Sequence, residues 1–147
     1  MADTVSVKWL YPPDMQDGGW DDKSGNRRVV VRLTGSSDGT GETDVRKVDL
    51  DLLKTPNGKV PQRTVVEEIM WHVFGMTVVL EWDRTPHAEI IRINENGVEN
   101  NGHMCWKDAG GNLDPGLDDA TGDILLTSTN ATSGDNYDIT LTLRLKD

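Results

Sequence analysis

Near its C-terminal end the chain alternates with almost no error. Tyr137, Ile139, Leu141, Leu143 and Leu145 fall on one side of a period of two, and Asp138, Thr140, Thr142, Arg144 and Lys146 on the other. That pattern predicts a strand with one dry and one wet face. Upstream, Ile124 and Leu126 form a shorter apolar row, and residues 130–136 between the two runs are mostly turn formers. Together they predict an antiparallel hairpin with a longish loop. Val5 and Val7 predict a first strand leading to Trp9 and ending at Pro12 and Pro13. Further strands are predicted at residues 27–34, at Val48, Leu50 and Leu52 between Asp49 and Asp51, and at 88–94. Pro56, Asn57 and Gly58 end one of these in a turn, and Glu95, Asn96 and Gly97 end another.

Residues 65–83 support two readings. Val66, Met70, Val73 and Thr77 have helical spacing, and Gly75 could stop a helix. A hairpin through Gly75 and Met76 accounts for more. It pairs Val73 with Val78, Trp71 with Leu80 and Ile69 with Trp82, which places six apolar side chains on one face. Residues 100–123 read as nearly all loop, and residues 35–44 as flexible. The expectation is an all-β, antiparallel β-sandwich, jelly-roll or Ig-like, of seven to eight short strands with long polar loops, forming a single domain over residues 1–147.

Composition sharpens that picture. A chain of 147 residues with one cysteine, Cys105, is long enough for its own core and has no intrachain disulfide. The formal charge of −10 opposes phosphate binding, so nucleic acid is not expected as a partner. No apolar run approaches the length that spans a bilayer, and the start lacks the pattern of a signal peptide, so no membrane association or classical export is expected.

Candidate chemistry is sparse. His72, His87 and His103 are scattered, without a second ligand at metal-binding spacing. Asp83 and His87 could meet across Thr85 and Pro86, but no nucleophile accompanies them. The acidic stretches holding Asp17, Asp21 and Asp22, and Asp114, Asp118, Asp119 and Asp123, lack the spacing of a calcium loop. No catalytic residue, metal or cofactor is expected, and the chain is not expected to be an enzyme.

Five tryptophans against one phenylalanine is an unusual balance. Trp71 and Trp82 belong to the predicted core face. Trp20 and Trp106 lie in polar, glycine-rich loops, where an indole either plugs the end of a sandwich or anchors a partner. Residues 14–28 are expected to form a loop or arm ending in Arg27 and Arg28, the clearest basic pair of an acidic chain. Trp20, Arg27, Arg28 and Trp106 are therefore the candidate partner-binding residues.

Gly75-Met-Thr-Val-Val-Leu-Glu-Trp-Asp83, the Asn96-Gly97 turn, the Gly110-Gly111 loop, and the strings TGDILLT and GDNYDITLTL lie in residues 65–147. This part of the chain resembles small β-sandwich structural proteins of tailed-bacteriophage virions. The resemblance implies a capsid decoration, or cement, protein on the exterior of the virion, made in the host cytoplasm. Its partner would be the major capsid protein, with a homo-oligomer as a further implied arrangement. The alternative from the loop tryptophans is a carbohydrate-binding β-sandwich module of a virion or tail fibre.

Overall fold

The computed structural model describes residues 3–11, 28–53, 60–94, 99–113 and 120–146. Ten strands run through them: β1 (Thr4–Tyr11), β2 (Arg28–Ser36), β3 (Val45–Val48), β4 (Arg63–Phe74), β5 (Thr77–Trp82), β6 (Ala88–Ile93), β7 (Glu99–Cys105), β8 (Asn112–Leu113), β9 (Ile124–Thr129) and β10 (Asn136–Lys146). One sheet has the order β1-β2-β10-β4-β7, with β8 also pairing β4, and the other has the order β3-β9-β5-β6. Every pairing is antiparallel. Apart from β1 and the two-residue β8, these are the strand orders of a jelly roll, two interlocked Greek keys folded into a sandwich.

Alternation decides which side chains meet between the sheets. Val29, Val31 and Leu33 of β2, Ile69 and Val73 of β4, and Tyr137 through Leu145 of β10 point inward from the first sheet. Val78, Leu80 and Trp82 of β5, Ile93 of β6, and Ile124 and Leu126 of β9 meet them from the second. All of these are buried in one continuous core.

Several pairings differ from the sequence expectation. β4 and β5 both exist and all six expected side chains face inward, but the strands lie in opposite sheets. The connection through Gly75 and the buried Met76 is thus a corner between layers. The same holds for β9 and β10, which were expected to form a terminal hairpin. A period of two tells which face is dry, and two facing strands satisfy it as well as two paired ones. The run from Val48 to Leu52 is not a continuous strand: β3 ends at Val48, and a 3-10 turn follows at Leu50–Leu52. The Asp49 carboxylate accepts from the backbone N–H of Asp51, which bends the chain and leaves Leu52 54% exposed.

Residues 100–123 hold β7 and β8 rather than loop alone. They form strands with few apolar residues because β4 offers them a hydrogen-bonding edge. Residues 37–44 are tied down: the Asp3 carboxylate accepts from the Asp38 N–H and the Thr40 hydroxyl, and the Glu42 N–H donates to the Ser128 hydroxyl.

Gly102 of β7 shows how tightly the edge is built. A Cβ there would lie 2.2 Å from Cζ2 of Trp71, whose indole N–H donates to Asn100 Oδ1 at 3.1 Å. Gly102→Ala is expected to cost about 1–3 kcal/mol by forcing the ring from its place. Urea unfolding measures this, and an unchanged midpoint would mean that the indole does not lie against the strand.

Candidate functional site

A polar cleft opens at one end of the sandwich. Its volume is about 910 Å³, and Arg46, Asp49, Asp51, Gln62, Arg63, Thr121 and Asp123 line it together with the apolar Leu50, Val60, Pro61 and Ala120. Three pieces of chain build it: the end of β3 with its 3-10 turn, the entry to β4, and the segment leading into β9. The volume falls toward the upper end of the ~300–1,000 Å³ range of small-molecule sites.

Asp123 organises the cleft. One carboxylate oxygen accepts from the Leu50 N–H at 2.8 Å, and the other from the Arg46 guanidinium, which also reaches Asp83 at 2.9 Å. Burial pushes the Asp123 carboxyl above its usual range, with the charge of Asp49 adding to this, while the Leu50 N–H and Arg46 oppose it. With both oxygens engaged inside the protein, this carboxylate positions the turn and does not reach a ligand.

The cleft floor is equally constrained. The Thr64 hydroxyl donates to the Gly122 carbonyl at 3.0 Å. Gly122 has φ +81°, and a Cβ there would lie 2.6 Å from Leu50 Cδ1 and 3.0 Å from the Gln62 carbonyl oxygen. Only glycine fits that turn between the two walls. The side chains of Asp51 and Arg63 have no hydrogen-bond or ion-pair partner among the described residues, and both face the cleft. They are the groups free to meet a ligand, one accepting and one donating.

The sequence-derived candidates are placed as follows. Trp20 and Arg27 lie outside the described residues, as do Asp17, Asp21, Asp22, Asp114, Asp118 and Asp119. The Arg28 guanidinium donates to the buried Glu67 at 2.6 Å, and Arg144 approaches the same carboxylate at 3.6 Å. Trp106 is half-buried and packs against the core, and its backbone N–H donates to the Glu67 carbonyl. Trp71 also packs there and Trp82 is buried. Asp83 and His87 do not pair: Asp83 accepts from Arg46 and Thr121, and His87 turns toward Asp44 at 3.6 Å. Of the cleft residues only Asp123 comes into question as a ligand group in the sequence, and Asp49, Leu50 and Asp51 read there only as a strand, because the lining comes from three distant segments with no local spacing.

A second surface is the outer face of the first sheet. Lys8, Arg32, Thr140, Met70 and His103 follow one another across five strands in register. Arg32 grips Asp138 through Nε at 2.9 Å and a terminal nitrogen at 2.5 Å. Glu68 pairs with His103 at 2.6 Å, and that hydrogen bond, with help from Lys107, holds its carboxyl below the ordinary range.

The chain matches no protein-family model and no curated protein. Among solved structures it is similar to a family 29 carbohydrate binding module, with 10% identity and a TM-score of 0.32 over 99% of this chain and 90% of that one. A variant of such a module in complex with cellulohexaose gives 10% identity and a TM-score of 0.33, over 99% of this chain and 92% of that one. Another, in complex with mannohexaose, gives 9% and 0.32, over 99% and 93%. Likeness this distant says nothing about a ligand.

Proposed function

We propose that this jelly roll is a non-catalytic binding module whose end cleft takes a neutral carbohydrate. The observation that carries the reading is the chemistry of the cleft: a carboxylate (Asp51) and a guanidinium (Arg63) without partners among the described residues, beside the Gln62 carboxamide and interleaved with small apolar patches. A sugar ring offers hydroxyls that both donate and accept, separated by C–H patches, and such a mixed lining answers both. Anions and cations each meet like charge in the same space, which disfavours phosphate and polyamine ligands alike. None of the described lining residues is aromatic. Recognition through hydrogen bonds without a stacking platform gives weak binding, on the order of 0.1–1 mM.

Affinity gel electrophoresis against a panel of soluble neutral polysaccharides tests this. At least one is expected to retard the protein, and Arg63→Ala is expected to weaken binding by about 10- to 150-fold by removing a charge-assisted donor, worth about 1.5–3 kcal/mol. The melt of the free protein should be unchanged. If no glycan retards the protein, the carbohydrate reading fails.

A second reading is capsid decoration. It rests on the resemblance of residues 65–147 to phage virion proteins, and the open five-stranded face of Arg32, Thr140, Met70 and His103 supplies a broad polar surface for a shell. Its own test is co-sedimentation with preassembled phage capsids, which should gain resistance to heat when the protein binds.

A further inference from the structure

Asp44, at the entrance to β3, meets Glu81 of β5 and His87, which lies just before β6 on the connection that follows β5. One ligand atom of each lies within 4.8 Å of the others. All three belong to the second sheet and its margins, on the side away from the core, where Glu81 and Arg46 flank the buried Leu125 in the register. We propose that this triad binds a divalent transition metal ion of the Zn²⁺ class.

Three features carry the proposal. First, two carboxylates converge on an imidazole, the side chain that most often ligates metals. Of the guanidiniums around them, Arg46 is committed to Asp83 and Asp123, and Arg92 to Glu89, while Arg84, in the turn between Glu81 and His87, has a buried Nε without a partner among the described residues. Second, Glu81 is half-buried and its carboxylate has no hydrogen-bond or ion-pair partner among the described residues. A half-buried carboxylate facing another one is unfavourable unless a cation joins them. Third, the spacing of one ligand pair fits. His87 Nδ1 and Asp44 Oδ1 are 3.6 Å apart, too far for a hydrogen bond. They lie close to the ~3.4 Å edge of a tetrahedron with metal–ligand bonds of about 2.1 Å.

The ligand set selects the metal. One imidazole nitrogen with two carboxylate oxygens suits Zn²⁺ and its neighbours, whereas Ca²⁺ asks for about 6–8 oxygens and this site supplies few. One ligand is already held in place: the Thr127 hydroxyl donates to Asp44 Oδ1 at 3.2 Å and accepts from the Asp44 N–H at 2.9 Å, which orients the carboxylate. Three protein ligands leave a fourth position for water. Bound metal would fasten the segment after β5 to the entrance of β3.

The test uses the full chain, stripped with chelator and dialysed, then titrated with ZnCl₂ alone. Calorimetry should show one high-affinity site per chain. At Zn²⁺ about 100-fold above its dissociation constant, the melting temperature should rise by about 5–10 °C, whereas the same concentration of CaCl₂ should move it by less than ~1 °C. His87→Ala and Asp44→Asn should each abolish most of the Zn²⁺ shift while leaving the metal-free melt within a few degrees. Asparagine is the appropriate replacement at position 44 because Asp44 has φ +50°, a conformation that asparagine tolerates. Glu81→Gln provides a third, nearly isosteric test. The proposal is overturned if Zn²⁺ produces no shift, if Ca²⁺ produces an equal one, or if the shift survives in the variants and disappears in His103→Ala, which would place the metal on Glu68 and His103.

Discussion

Glu42→Ala is expected to destabilise the protein by about 3–5 kcal/mol, lowering the melting temperature by about 10–15 °C. Glu42 is buried between the two sheets. One carboxylate oxygen accepts from the Tyr137 hydroxyl of β10 at 2.5 Å, and the other faces Lys47 Nζ of β3 at 2.6 Å, with the lysine also buried. Removing the carboxylate strands a buried ammonium and a buried phenol together, which is why the expected loss exceeds that of one hydrogen bond. The double variant Glu42→Leu with Lys47→Met should recover much of the stability, since it removes both charges at once. Calorimetric melts of the three proteins measure this. A Glu42→Ala protein as stable as wild type would mean that the lysine reaches water. Tyr137 adds a pH signature: burial, and then its bond to the Glu42 carboxylate, push the phenol far above its ordinary range. The raised folded value means that this contribution is complete below about pH 10 and is lost as the pH rises beyond it, where the unfolded phenol ionises and the folded one does not.

Trp82→Ala should cost about 3–5 kcal/mol as well, by a different mechanism. Trp82 is 1% exposed, at the end of β5, and pairs with Ile124 on one side and Ala88 on the other. Truncation removes the largest fully buried side chain of the four-stranded sheet and leaves a cavity that three strands would have to close. Met70 provides the control. It is apolar yet 50% exposed on the outer face of the other sheet, and Met70→Ala should change stability by no more than about 0.5 kcal/mol. Urea titrations should show a lower midpoint with an unchanged slope for Trp82→Ala alone. Equal effects at the two positions would contradict the assignment of faces.

Those two sites mark how far the sequence could be read. The inward face of β10 and the six apolar residues around Gly75 were legible, because alternation is a local signal and burial of one face enforces it. Sheet membership was not legible. Ile69 and Trp82 point into the core whether their strands pair or face, so a corner and a hairpin have the same pattern. β7 was missed because Asn100, Asn101, Gly102 and His103 carry no strand propensity, and the open edge of β4 that orders them is a tertiary fact. The cleft was hidden for a related reason: Asp51, Arg63 and Asp123 are brought together by the β3 turn, the β4 entry and the β9 approach. In the same way Asp44 joins Glu81 and His87 only through the second sheet, so linear ligand spacing could not reveal the triad.

The central claim is that binding occurs at the end cleft, and an amide chemical-shift titration with the retarding polysaccharide, or an oligosaccharide cut from it, tests it most directly. The account predicts shifts confined to the amides of residues 49–51, 62–64 and 120–123, saturating together and lost in Arg63→Ala. Shifts that instead follow Arg32, Thr140, Met70 and His103 across the outer face, with the cleft amides unmoved, would contradict it.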